Sequence, residues 1–119
     1  MSCREAIATC QEALSLHQEL GHRVGEASTW DSLGYAYRQL GQHTEAIACY
    51  RRAVEVVDGV GDRHGEADFL THLGDTHYAT GDRRGAHDAW QQALKILEDL
   101  QAPDADQVRI KLDGLARSR

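Results

Sequence analysis

A chain of 119 residues with a net charge of -6 is long enough for one domain that buries roughly two-thirds of its unfolded surface. It is too acidic to take a phosphate backbone as its own ligand. One proline, 27% charged and 41% hydrophobic residues describe a folded soluble domain, and no apolar run approaches the ~18 residues of a membrane span.

The first ten residues, MSCREAIATC, hold Arg4 and Glu5 and no continuous apolar stretch. No secretory signal is read there, so the expected location is the cytoplasm. Cys3, Cys10 and Cys49 form no CxxC pair and are expected as reduced thiols. Cys10 falls on an apolar stripe, where it is expected to act as a small buried hydrophobe.

Hydrophobic spacing predicts about six helices in an all-α chain. The first, over 3–20, carries Ala6, Ile7, Cys10, Ala13 and Leu14 on one face. The second, over 23–40, repeats Trp30, Leu33, Tyr37 and Leu40 at helical spacing and stops at Gly41, where a left-handed residue is needed. The third, 43–59, builds its stripe from Ala46, Ile47, Tyr50, Ala53, Val54 and Val57. Asp62 and Asp82 are candidate N-caps for a fourth helix over 63–80 and a fifth over 83–100. Leu70, Leu73 and His77 line the fourth, and Ala86, Trp90, Ala93, Leu94 and Leu97 the fifth. Pro103 suits the first turn of a sixth helix over 104–116, where polar Asp104, Asp106, Arg109 and Lys111 mix with Val108, Ile110, Leu112 and Leu115.

These elements repeat at a spacing of forty residues without a gap. Gly25, Glu26, Leu33, Gly34, Gly41, Ala46, Tyr50 and Ala53 match Gly65, Glu66, Leu73, Gly74, Gly81, Ala86, Trp90 and Ala93. Carried backward, the register sets Ala6, Cys10 and Ala13 against Ala46, Tyr50 and Ala53. The domain therefore divides into a half repeat at 3–20, full repeats at 23–59 and 63–100, and a capping helix at 104–116. The half repeat lacks a first helix of its own, so apolar surface is expected on its edge, with homodimerisation there as one outcome. Gly34 lies inside a helix, where glycine costs ~1 kcal/mol against alanine. Its return at Gly74 points to close packing: a crossing of Gly34 with Ala46 and Ala53, flanked by Trp30 and Tyr50.

The series Trp30, Leu33-Gly34, Tyr37, Ala46, Tyr50 and Ala53 resembles the signature of the tetratricopeptide repeat, with departures at Leu70 and His77 in the next unit. The resemblance implies an antiparallel helix-pair solenoid, a superhelix whose first helices line a concave face. The forty-residue period and the GDR.GEA linker resemble a long-period subclass. The wording of DSLGYAYRQLGQHTEAIACYRRA and PDADQVRIKL is similar to the C-terminal region of actinobacterial transcriptional regulators of the antibiotic-regulatory-protein type. No GxxxxGK[ST] loop is present, so neither nucleotide nor DNA binding is assigned to this chain.

No sequence pattern supports catalysis: HExxH, Cys–His ligand spacing and a Ser-His-Asp order are all missing. Asp68, His72 and Asp75 share one helical stripe, which a solvated polar face explains as well as a metal does; no metal or cofactor is expected. His77 takes a core aromatic place, and Trp30 and Trp90 lie on core stripes. The residues opposite the core stripe are the expected binding face: Ser28, Asp31, Ser32, Tyr35 and Arg38 from the second helix, then Asp68, Thr71, His72, Asp75 and Tyr78 from the fourth. The aspartates disagree with the lysine and arginine clamp by which some of the family hold a peptide C-terminus. A mildly acidic face with two tyrosines suits a basic or mixed protein or peptide segment, or another domain of the same polypeptide.

Overall fold

The computed structural model describes residues 2–117, which form six helices and no strand among them. The chain divides into two compact units, residues 1–62 and 63–119. In the first, α1 (Cys3–Leu20) packs on α2 (Arg23–Gln39) and α2 on α3 (His43–Asp58). In the second, α4 (Arg63–Ala79) packs on α5 (Arg83–Asp99) and α5 on α6 (Ala105–Arg117).

Local chemistry sets the helix ends. Ser2 caps α1, its hydroxyl oxygen accepting from the Glu5 amide at 3.2 Å, and Asp82 caps α5 by accepting from the Gly85 amide at 2.9 Å. Gly21, Gly41, Gly61 and Gly81 all adopt positive φ, at intervals of twenty residues. Around three of these glycines the amide of the following residue returns to a carbonyl of the last helical turn, His22 to His17, Gln42 to Tyr37 and Asp82 to His77, each at 2.9 Å. That closure satisfies carbonyls a helix end would otherwise leave unpaired. The fifth left-handed position, another twenty residues on, is Gln101 at φ 55°.

Gly34 and Gly74 serve close packing. A Cβ at Gly34 would lie 2.8 Å from Cε1 of Tyr50, and one at Gly74 would run into the Trp90 indole. Each glycine is the seat of the aromatic ring from the next helix. Tyr50 therefore sits on the glycine itself, not in a space beside the crossing as the sequence suggested. Ala46, Ala53, Ala86 and Ala93 are fully buried around these seats.

Several positions depart from the sequence reading. Cys10 is half-buried; burial raises its thiol, but the covering that Tyr50 and Trp90 enjoy does not extend to it. Leu40 lies past the last turn of α2 and is exposed. Pro103 stands ahead of α6, in a tight turn closed by the amides of Asp106 and Gln107 on the carbonyls of Pro103 and Asp104. On α6, Val108 and Leu115 are buried but Ile110 is 69% exposed.

Candidate partner-binding face

On α2, Ser28, Asp31, Ser32, Tyr35 and Arg38 fall at helical intervals on one face, as their spacing requires. Ser28 and Ser32 are exposed, and the Ser32 hydroxyl donates back to the Ser28 carbonyl at 3.1 Å. Asp31 and Arg38 are half-buried. Tyr35 projects furthest, 58% exposed. Beneath this face Glu26 is 92% removed from solvent, and its Oε2 accepts from Trp30 Nε1 at 3.3 Å and Gln18 Nε2 at 3.4 Å. Trp30 is thereby a half-buried residue with a polar tether, a partner its apolar stripe did not announce.

On α4 the corresponding face is largely occupied from within its own unit. Asp75 accepts from Trp90 Nε1 at 3.1 Å and pairs with Lys111 Nζ at 3.0 Å. Lys111 also stands over the Trp90 ring, 5.8 Å from its centroid, a cation–π placement. Trp90 is held further by Thr71, whose carbonyl accepts from the indole at 3.3 Å. The Thr71 hydroxyl itself donates to the Ala67 carbonyl at 2.8 Å. Tyr78 is 49% exposed and tilts against Trp90 with centroids 5.8 Å apart. Asp68 lies 3.6 Å from His64 Nδ1, while His64 Nε2 meets Asp104 at 2.9 Å. Asp68, His72 and Asp104 line a 160 Å³ cavity with Gln107 and Lys111.

The sequence placed Asp104 and Lys111 in a polar cap only and did not single out His64. Each acts across helices distant in sequence, and only the offset of forty residues between His64 and Asp104 hinted at adjacency. His77 is buried, as its core position implied, with Nδ1 3.2 Å from Asp82. The three thiols are free, and burial pushes that of Cys49 up to about 11, with Cys10 and Glu45 adding to the shift.

The tetratricopeptide repeat family matches residues 2–57 and again 25–99. The chain belongs to that family. The tetratricopeptide fold is also that of BtubC (BKLC) from P. vanneervenii, a crystal structure with a TM-score of 0.86 at 22% identity. The match covers 97% of this chain and 49% of BtubC, so the chain spans about half the length of that relative. No curated protein matches it. Tetratricopeptide repeats are in general protein-interaction modules without catalytic function. No helix among the described residues is long and apolar enough to cross a membrane.

Proposed function

We propose that this tetratricopeptide chain is a noncatalytic interaction and regulatory module, taking a peptide or partner domain on the face of α2 in its first unit or that of α4 in its second. The exposure of Tyr35 on a polar helix face carries this reading. A tyrosine offers a large amphipathic contact at small entropic cost, and acidic neighbours favour a basic segment. The α2 set, with Ser28, Asp31, Ser32, Tyr35 and Arg38, leads. On the separate face of α4, with Asp68, Thr71, His72, Asp75 and Tyr78, Asp75 is committed to Lys111 and Tyr78 is the most exposed contact.

The biological setting we infer is a cytoplasmic, long-period member of the family within a larger bacterial transcriptional regulator, supported by the wording of the repeat segments. The test is fluorescence anisotropy with a labelled lysine-rich helical peptide and its glutamate-reversed counterpart. Binding of the basic peptide alone, weakened at least tenfold by Tyr35→Ala with unchanged circular dichroism, is expected. Equal binding of both peptides, or indifference to Tyr35→Ala, overturns the reading.

A second reading, a scaffold self-associating through α1, has its own support. Cys49, Tyr50 and Val56 on α3, and Ala89, Trp90 and Ile96 on α5, are all buried. Their counterparts on α1 are Thr9, Cys10 and Leu16, none of them buried, with Leu16 54% exposed.

A further inference from the structure

We propose that His64, Asp68 and Asp104 form a binding site for a zinc-class divalent cation. One ligand atom from each residue lies within 4.8 Å of the others. A tetrahedral or five-coordinate ion with ligands at roughly 2.0–2.2 Å spaces its donors about 3–3.5 Å apart, so the set closes on one ring nitrogen of His64, Nε2 beside Asp104, with the Asp68 carboxylate turning from Nδ1 towards it. His64 and Asp68 stand one turn apart on α4 and present their side chains on one face. Asp104 enters from the turn that precedes α6, fixed by the Gln107 amide on its carbonyl at 3.1 Å.

The local charge favours a cation. Two carboxylates flank one imidazole, Asp68 at Nδ1 (3.6 Å) and Asp104 at Nε2 (2.9 Å), and Lys111, which also lines the cavity, pairs with Asp75 at 3.0 Å. Mixed imidazole and carboxylate donors suit zinc and its neighbours better than magnesium, which prefers an all-oxygen shell, or copper(I), which prefers sulfur. The 160 Å³ cavity beside the triad, lined also by His72 and Gln107, leaves room for water to complete the coordination. A bound ion would fasten the turn before α6 to α4 within one unit, beside the His64–Asp104 contact already there. The three residues are exposed or half-buried, so an ion has direct access.

The test is isothermal titration of the full chain with Zn²⁺, alongside thermal unfolding and Co²⁺ absorption. One bound Zn²⁺ is expected, with a rise in Tm. His64→Ala and Asp104→Asn should each weaken binding at least tenfold, and His87→Ala should leave it unchanged. Affinity should fall on acidification, because the imidazole must be unprotonated to ligate. Circular dichroism without metal should be the same for all variants, since the side chains concerned lie at the surface. Zinc binding that survives Asp104→Asn overturns the proposal, as do intense thiolate charge-transfer bands with Co²⁺, which would assign the metal to Cys3, Cys10 or Cys49. Failure to bind Zn²⁺ at millimolar concentration overturns it outright. Peptide binding at Tyr35 is independent of either result.

Discussion

A methyl group at Gly74 would press on an indole that cannot move aside. Trp90 is anchored by two acceptors, the Thr71 carbonyl and Asp75 Oδ1. Gly74→Ala gains ~1 kcal/mol in helix propensity and loses more to overpacking, which costs about 1–3 kcal/mol. The expected net effect is destabilisation, read by urea unfolding, and adding Trp90→Leu should remove most of it. Gly114 lies forty residues further on, inside α6, with nothing within 4 Å of its would-be Cβ. Gly114→Ala should therefore stabilise by about 0.5–1 kcal/mol. Two glycines in the same register give opposite signs, because only one is an aromatic seat. Sequence alone placed the repeated glycine at a close crossing but could not say which atom it met, since ring placement depends on the partner helix. Cys49 offers a pH test. Its thiol is raised from 9.0 to about 11, so the folded state holds the proton more tightly than the unfolded chain. That contribution is complete below pH 9 and is lost as pH rises towards 11. Unfolding free energy measured from pH 8 to 11 should fall more steeply in the wild type than in Cys49→Ala.

Among the elements, helix existence and register were legible because apolar positions recur at helical spacing and each stop is a glycine or a cap. The helices begin at the positions read for five of the six and end within one residue of the expected bounds. The sixth starts one residue late, because Pro103 closes a tight turn before the helix instead of opening it. Gln101 was not legible as a left-handed residue, since glutamine carries no such signal and only the interval of twenty residues reveals it. A non-glycine residue there costs about 1 kcal/mol or more, so Gln101→Gly should raise stability by up to about 1 kcal/mol, less the extra entropy of the unfolded chain. The side chains holding α6 were equally hidden: Lys111 reads as part of a polar cap, yet it stands between Asp75 and the Trp90 face. Lys111→Ala should cost about 1 kcal/mol, less at high salt, and a loss insensitive to salt would assign its role to packing of the aliphatic stem.

For the whole molecule, the tetratricopeptide assignment followed from residues that touch each other, whereas the partner depends on residues that face away, where local patterns carry little information. Asp75 illustrates the difference. On sequence it belongs to an acidic binding face; in the structure it is one-fifth exposed and joined to Lys111 and Trp90. Reversing its charge would disturb the α4–α6 contacts and any partner at once, so it cannot report on binding. The informative surface test for self-association lies on α1. Leu16 and Leu20 are 54% and 57% exposed, and Leu16 occupies the register of buried Val56 and Ile96. If copies meet through this helix, burying both leucines contributes a few kcal/mol at most, enough for weak association and no more. Sedimentation velocity across a hundredfold concentration range should then show a rising weight-average coefficient, abolished by Leu16→Glu without loss of helicity. A coefficient independent of concentration would leave α1 outside any copy-to-copy contact and direct attention to Tyr35 and its neighbours on α2.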